Sequence, residues 1–392
     1  MSKRVRTNRL TAVLVGASVM GLVLAGCSGT GSGESGGDGP IRLGSLMSLS
    51  GSAEAFGPLA LDTTLQAFAE SVNADGGING RDLEITVVDD GGTPSGAAQG
   101  ARKLVEEGVV AFVGGTSYAS CAANAQYYAQ EGIVAVEGIG VLPECTTSEN
   151  IATVTPGPIV EDKLSYTFAV EELGLTKPCL LKEASPASTG MNAAVQEAVE
   201  RTGVEPAYED WNIPATQTDY TPLLIQAKEA GCESIKIGGG PQESVAVAEQ
   251  MRAQGMDDVV LMMSGASYDA GIGEMLAEFP NPMYAGSELE TFDSDAEDMV
   301  AYQEFIAEHE LPQSAFTLAT YLAASTVVEV LRGMDGEITA ETVAEALTST
   351  DPIESDLTGE PFVFGEVNES IKMTKLEGGA WVSATPEFIL WD

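Results

Sequence analysis

The sequence predicts an α/β protein built from two successive doubly wound parallel sheets. From Ile41 onward, short apolar runs alternate with amphipathic segments of helical periodicity, which is typical of βαβ units. The alternation pauses at residues 153–158, where two prolines and a glycine suggest a crossover, and it then resumes. A second sheet is therefore expected after the crossover, with no fixed-period repeat of the solenoid kind.

The first half of the chain supplies four predicted strands and three predicted helices. The strand from Ile41 to Leu49 is followed by a helix from Ala60 to Asn73, which ends at the turn Asp75-Gly76-Gly77. The remaining strands are predicted at 83–88, 109–113 and 133–136, and the remaining helices at 95–107 and 118–130.

The second half repeats the pattern after a helix at 159–172. Strands are predicted at 179–182, 208–211, 234–237, 259–263 and 283–285, with helices between them at 189–201, 220–230, 243–254 and 268–276. Three further helices follow at 296–309, 315–332 and 340–347, and two terminal strands at 362–364 and 371–376.

The N-terminus has the pattern of a secretion signal. Four basic residues precede an apolar stretch from Leu10 to Ala25, which closes on Leu24-Ala25-Gly26-Cys27 with small residues before the cut site. A membrane-spanning helix is the alternative, but the stretch is shorter than the roughly 20 apolar residues that a bilayer core requires. The quartet resembles the lipobox of bacterial lipoproteins. That resemblance implies acylation of Cys27 and anchoring to the outer face of the bacterial cell membrane, whereas ordinary signal cleavage would release the chain.

The segment from Ser28 to Pro40 is rich in glycine and serine and is expected to be a flexible tether. Gly31, Gly33 and Gly36 formally match the dinucleotide-binding pattern G-x-G-x-x-G. The pattern binds a pyrophosphate only between a strand and a helix, and neither is predicted here. The match is therefore a false positive.

The charge of the chain is strongly negative. It contains 18 Lys and Arg against 59 Asp and Glu, for a formal net charge of −41. Such a field repels nucleic acid and anionic lipid headgroups, which excludes both as expected partners. Solubility or adaptation to salt explains the charge better than a specific cationic partner does.

The residues of catalysis are missing from the sequence. His309 is the only histidine, and its place near the end of an acidic helix suits a solvated or capping role. With no second histidine and no G-x-S-x-G in the folded region, neither a triad nor an ordinary metal site is expected. No enzyme activity, metal or cofactor is therefore predicted. With Cys27 set aside, the remaining four cysteines allow three disulfide pairings in an oxidising compartment.

Several motifs resemble the leucine/isoleucine/valine-binding family, the type I periplasmic solute-binding proteins of ABC importers. They are Asn73-Ala-Asp-Gly-Gly-Ile-Asn-Gly-Arg81, Val87-Val-Asp-Asp90, Ala101-Arg-Lys-Leu-Val105, Asp219-Tyr220 and the helix from Ala315 to Ala323 with Tyr321 inside it. The resemblance runs from Ile41 to about Phe364. It implies a small-molecule ligand, permease subunits as partners and a monomer. A ligand-presenting subunit for a sensor or receptor is the alternative role.

The resemblance also implies the domain organisation. The chain would cross three times between two lobes, forming a three-strand hinge. Lobe 1 would comprise residues 41–155 and 287–360, and lobe 2 residues 156–286 and 361–392. In such a fold, loops after adjacent parallel strands would bring Cys121 near Cys145, and the N-terminal edge of lobe 2 would bring Cys179 near Cys232.

Ligands in open parallel sheets bind beyond the carboxyl ends of the strands, beside helix N-termini. Family members that bind amino acids hold the ligand carboxylate with a hydroxyl and backbone N–H groups at a helix start, and the ammonium with a lobe 2 carboxylate. The segment 114–120 ends a predicted strand and begins a helix, so it is the best candidate for the carboxylate site. A capped helix start without a ligand is the alternative.

At four family determinants this sequence has Tyr118, Val141, Gly240 and Gly265 instead of the expected side chains. These departures predict a roomier pocket and a ligand other than a plain branched-chain amino acid, such as a modified amino acid, an amide or an aromatic acid. Lys182 and Glu183, at a strand end, could supply a charge or be a solvated rim. The predicted ligand-binding residues are Phe56, Ser117, Tyr118, Ala119, Ser120, Ile139, Gly140, Val141, Ala187, Gly240, Ser264 and Gly265.

Overall fold

In the computed structural model, which describes residues 39–51, 60–117 and 119–391, five parallel strands form the first sheet. The predicted signal peptide with Cys27, most of the tether, Phe56 and Tyr118 lie outside the described residues. The strands are β1 Ile41–Met47, β2 Leu83–Asp89, β3 Ala111–Val113, β4 Ala135–Glu137 and β5 Ile151–Thr153. Their order in the sheet is β2-β1-β3-β4-β5. The helices beside them are α1 Leu61–Ala74, α2 Pro94–Glu106, α3 Ser120–Glu131 and the short α4 Glu144–Thr147.

The second sheet contains the strands β6 Pro178–Glu183, β7 Tyr208–Ile213, β8 Ser234–Ile237, β9 Val260–Met263, β10 Met283–Ser287, β11 Ser370–Glu377, β12 Ala380–Ser383 and β13 Ile389–Leu390. Their order is β12-β11-β10-β9-β8-β6-β7, with β13 paired to β11. Strands β6 to β10 are parallel, as predicted, whereas β11, β12 and β13 pair antiparallel. The sheet is therefore mixed at one edge.

Five helices accompany the second sheet within the described residues, and three more follow β10. The first group is α5 Gly157–Glu171, α6 Ser188–Thr202, α7 Thr221–Ala230, α8 Pro241–Ala253 and α9 Ala270–Leu276. The second is α10 Glu297–Glu308, α11 Ala315–Gly333 and α12 Ala340–Ser349. Helix α11 returns to the first sheet, where it packs beside α1, β3 and β4. Within the described chain it alone is long and apolar enough to cross a membrane, but 67% of its most apolar stretch is buried in the protein core.

Several details of the sequence prediction needed correction. Residues 362–364 form no strand, and Phe362 makes a single antiparallel bridge with Ile353. Strand β5, which was not predicted, is only three residues long and lies just before the prolines of the crossover. Helix α4 and strands β12 and β13, which have four, four and two residues, were not predicted either. All these segments are too short for periodicity to define.

The three crossings between the sheets lie side by side. The chain leaves β5 for α5 at Gly157, whose N–H donates to the carboxylate of Glu288 at 3.3 Å, just after β10. On the return, the N–H of Glu290 donates at 2.8 Å to the carbonyl of Leu357 on the third crossing. The predicted arrangement of two α/β lobes and a three-strand hinge is confirmed.

Both predicted disulfides are present. Cys121, in the first turn of α3, is bonded to Cys145 in α4, and the two Cα atoms are 5.0 Å apart. Cys179 in β6 is bonded to Cys232, just before β8, across a Cα separation of 5.8 Å. Each bridge therefore links segments that follow or begin neighbouring parallel strands, as the family resemblance implied.

Candidate ligand-binding cleft

A cavity of about 150 Å³ lies between the two sheets. The strands present their carboxyl ends to it, which is where open parallel sheets bind ligands. Its lining residues follow strands of both sheets: Thr116 after β3, Ile139 and Val141 after β4, Gly238 and Gly239 after β8, Ser264 and Gly265 after β9, and Glu288 after β10.

The wall on the side of the first sheet is largely apolar. Ile139 and Val141 lie in the loop after β4, and Leu318 and Ala319 lie near the start of α11. The helix begins at a fixed point because Ser314 caps it: its hydroxyl accepts from the N–H of Thr317, and the Thr317 hydroxyl accepts from the N–H of Ser314. This wall can bury an apolar part of a ligand.

The opposite wall carries a buried network of charges. Lys182, at the end of β6, donates from Nζ to Oδ1 of Asp162 at 2.5 Å, and Lys236 of β8 donates to Oε1 of Glu161 at 2.5 Å. Lys236 also lies 3.7 Å from Asp162 and donates to the carbonyl of Met263. Helix α5 can bury adjacent acidic residues because these two lysines neutralise them.

Glu288 is the carboxylate that follows β10. It accepts the N–H of Gly157 and has no ion pair with the described Lys, Arg or His residues. Burial raises the pKa of Glu288 to about 7, and the negative charge of Glu161 adds to the rise. Glu288 is therefore partly protonated at neutral pH.

A second pair of carboxylates lies beside the glycine loop after β8. Burial raises the pKa of both Glu183 and Glu243, and the charge of Glu183 raises that of Glu243 further. Gly239 has a φ of 80°, and a β-carbon there would lie 1.5 Å from Oε2 of Glu243. The left-handed backbone at this position therefore favours glycine, which leaves room for the Glu243 carboxylate.

Four of the predicted ligand-binding residues line the cavity: Ile139, Val141, Ser264 and Gly265. The hydroxyl of Ser264 donates to the carbonyl of Gly239 at 2.8 Å, which joins the loops after β8 and β9. The two family positions that changed to Val141 and Gly265 therefore both face the cavity.

The start of α3, predicted to bind the carboxylate of the ligand, makes hydrogen bonds to other groups of the protein itself. The Ser117 hydroxyl donates to Oδ2 of Asp90 and accepts the N–H groups of Ala119 and Ser120 at 3.1 and 2.9 Å. These contacts match the alternative interpretation of this segment, a capped helix start without a ligand. In this segment Thr116 reaches the cavity, whereas Ser117, Ala119 and Ser120 are not among its lining residues.

Gly140, Ala187 and Gly240 also lie outside the cavity lining, although their neighbours Ile139, Val141 and Gly239 belong to it. The Cβ direction of Gly140 points to Thr153 and Cys145, into the first lobe. Ala187 precedes α6 and is buried. Phe56 and Tyr118 lie outside the described residues.

Several residues of the cavity were not predicted from the sequence. Glu161 and Asp162 lie in α5, which was predicted as a helix without any of its residues being assigned to the site. Glu288 follows β10, so the strand-end rule could have identified it had the strand been predicted to its full length. Across the described residues, no group of three or more His, Cys, Asp or Glu has the arrangement of a metal site.

Comparison with known proteins agrees with this geometry. Residues 40–379 match the model of a family described as periplasmic binding protein. The chain is 27% identical over 291 residues to the leucine-, isoleucine-, valine-, threonine- and alanine-binding protein of Pseudomonas aeruginosa, covering 71% of this chain and 74% of that protein.

Solved structures share the fold. A branched-chain amino acid transporter substrate-binding protein from Streptococcus pneumoniae, in complex with isoleucine, is 19% identical with a TM-score of 0.76, covering 90% of this chain and 100% of that one. An ABC transporter solute-binding protein from R. palustris, in complex with benzoate, is 16% identical with a TM-score of 0.75. The match covers 90% of this chain and 98% of that one.

The family model covers most of the chain, including the first sheet, strands β6 to β11 of the second sheet and the residues around the cavity. The family consists of extracytoplasmic solute-binding proteins that serve ABC transporters, and its members are not enzymes. This chain belongs to the periplasmic binding protein family, in the type I group of the leucine/isoleucine/valine-binding proteins.

Proposed function

We propose that this chain is the lipid-anchored solute-binding component of an ABC import system, and that it captures a small amino-acid-like, amide or aromatic-acid ligand by closing two lobes. One observation carries the proposal: the apolar wall of the cavity belongs to the first lobe and the charged wall to the second. A ligand that contacts both walls binds the closed form best and shifts the population towards it.

The names of the relatives support a small solute as the ligand of this chain, but they do not agree on a single compound. By their names, relatives bind leucine, isoleucine, valine, threonine and alanine, or isoleucine, or benzoate, and another serves fatty-acid transport in Thermomonospora curvata. Val141 and Gly265 at the cavity support a ligand that differs from leucine or valine.

A thermal-shift screen tests the ligand class, because a ligand that binds only the native state raises the melting temperature. The panel contains amino acids, amides, aromatic acids and short peptides, and the protein is first unfolded and refolded to remove any bound solute. We expect a hit in the amino-acid-like, amide or aromatic-acid groups and weak effects of leucine and valine. Tight binding of leucine or valine would contradict the expected ligand class, and hits among peptides alone would contradict the small-solute proposal.

Anchoring and transport are tested in cells. Replacing Cys27 by Ser is expected to move the protein from the membrane fraction to the soluble extracytoplasmic fraction, and an unchanged membrane fraction would exclude the lipid anchor. Deletion of the protein is expected to abolish uptake of the identified ligand. Unchanged uptake with lost signalling would instead support the alternative, a subunit that presents its ligand to a sensor or receptor.

A further inference from the structure

The cavity has more negative than positive side chains. Among the residues that line it, Lys182 is matched by Asp162, and Glu161 is matched by Lys236 behind the wall. Glu183 and Glu288 also line the cavity, and in the described part of the chain neither forms an ion pair. Glu183 hydrogen-bonds to the carboxyl of Glu243, so Glu288 is, among the described lining residues, the carboxyl that has neither a counter-charge nor a carboxyl partner. In its ionised form Glu288 favours a cationic group of the ligand over an anionic one.

Asp162 provides an independent indication. It is 2% exposed, and its Oδ1 accepts from Lys182. Its Oδ2 is buried and has no hydrogen-bond partner among the described residues. A buried acceptor without a donor is costly, and because Asp162 lines the cavity, a donor on the ligand can satisfy it.

Glu288 lies in the part of the cavity where the family resemblance implies an ammonium-binding carboxylate from another position in the chain. The lobe 2 position that binds ammonium in the family falls near Gly265, which has no side chain. Oε1 of Glu288 lies 3.8 Å from the point that a β-carbon on Gly265 would occupy. A carboxylate from the neighbouring strand end therefore reaches the same part of the cavity.

We propose that Glu288 and Oδ2 of Asp162 bind a primary ammonium group of the ligand, with the ligand's apolar part against Ile139, Val141 and Leu318. The assignment rests on the proposed function and narrows it to ligands that carry an ammonium. A ligand with only a carboxylate would meet the unmatched Glu288, and the one cation in the lining, Lys182, already donates to Asp162.

Two matched pairs of probes test this assignment. 3-Methylbutylamine and 4-methylpentanoate carry the same branched chain with an ammonium or a carboxylate, and 2-phenylethylamine and 3-phenylpropanoate are the aromatic pair. Calorimetric titration of the refolded protein near neutral pH is expected to give about tenfold or more tighter binding of the amine in at least one pair. Equal or tighter binding of the acid in both pairs would overturn the assignment.

Substitutions test whether the ammonium group of the ligand binds at Glu288. Glu288→Gln is expected to weaken binding of the amine by about tenfold or more. Glu137→Gln, which neutralises another buried carboxyl, is the control and is expected to bind the amine as tightly as the unmodified protein, because Glu137 does not line the cavity. In the Glu288→Gln background, Gly265→Asp is expected to restore amine binding by returning a carboxylate to the same space. Unchanged amine affinity in a folded Glu288→Gln variant would overturn the assignment.

The results separate this assignment from the proposed function. Tight binding of an acid, insensitive to Glu288→Gln, would overturn the ammonium site and leave solute capture in place. If no amine, acid, amide or amino acid bound the refolded protein, both the proposed function and the ammonium site would fail. A melting curve for each variant confirms that loss of binding is not loss of folding.

Discussion

The Nζ atom of Lys182 lies 2.5 Å from Oδ1 of Asp162, and both side chains are almost completely buried at the cavity wall. The pair joins the end of strand β6 to helix α5, and Lys236 approaches the same aspartate at 3.7 Å. A pair this deep is stable because each charge neutralises the other, so the removal of one partner leaves an uncompensated buried charge.

Breaking this pair is expected to destabilise the protein strongly. Asp162→Asn should lower the free energy of unfolding by about 3 kcal/mol or more, because Lys182 then has no counter-charge. The double variant Lys182→Met with Asp162→Leu should cost less than Asp162→Asn alone, since both charges are gone. Urea unfolding of the two variants measures the difference, and a double variant no more stable than the single one would contradict the explanation.

Glu137 should make stability depend on pH. Burial, with the charge of Asp90, raises its pKa from 4.5 to about 8. Between these values the folded protein binds more protons than the unfolded chain, so stability falls as pH rises, by up to about 1.4 kcal/mol per pH unit for this group. Glu137→Gln removes the effect. Melting curves from pH 5 to pH 8 should show an advantage of the variant that grows with pH, whereas a constant difference would argue against it.

Binding of an ammonium should also depend on pH through Glu288, whose pKa is about 7. Only the ionised carboxylate attracts the cation, so the affinity for 3-methylbutylamine should rise about tenfold per pH unit below 7 and level off above it. The charged groups that act on Glu288 are Glu161, which raises its pKa, and Lys236, which lowers it. Titrations of the unmodified protein and of Glu288→Gln compare the profiles, and a flat profile in the unmodified protein would contradict the site.

The first crossing should tolerate no side chain at Gly157. Its φ is 76°, and a β-carbon there would lie 2.2 Å from the carbonyl oxygen of Gly140. Gly157→Ala should therefore lower stability by about 2 kcal/mol or more through clash and backbone strain. Gly174→Ala is the matched control, because Gly174 has a φ of 69° but open space around it. Equal losses in the two variants would show that the clash with Gly140 contributes nothing.

Each disulfide should stabilise its lobe by restricting the unfolded chain. The Cys179–Cys232 bridge spans 53 residues and the Cys121–Cys145 bridge spans 24, so removal should cost about 4 and about 3.5 kcal/mol respectively. Paired Cys→Ser variants, compared by urea unfolding, measure the two values. Peptide mapping without reductant checks the pairing, and a Cys121–Cys179 peptide would contradict it.

Much of the fold could be predicted from periodicity. Strand β8 was predicted at its observed bounds, and most other strands and helices within a few residues, because buried strands and amphipathic helices leave a local pattern. The pattern is weakest in very short elements, which is why β5 was missed and the bridge at Phe362 was predicted as a strand. The disulfide pairing required the fold implied by the family resemblance, since four cysteines alone leave three pairings open.

The site could be predicted only in part. Ile139, Val141, Ser264 and Gly265 were assigned to the site by the family resemblance and by their position after predicted strands, and all four line the cavity. The role of Ser117 was not decided by the sequence, because a serine at a helix start can bind a ligand or cap its own helix. Its contact with Asp90, 27 residues earlier in the chain, is what commits the hydroxyl to the cap.

The sequence alone determined the α/β class, the order of most elements and, through its motifs, the family, because these depend on local spacing along the chain. Only the tertiary structure decided which charges meet. Asp162 faces Lys182, Glu161 faces Lys236, and Glu288 extends beside Gly265, and each of these contacts joins segments far apart in sequence. Whether a buried carboxylate is neutralised within the protein or left for a ligand depends on such contacts, since the free energy of a buried charge is set by its neighbours in space.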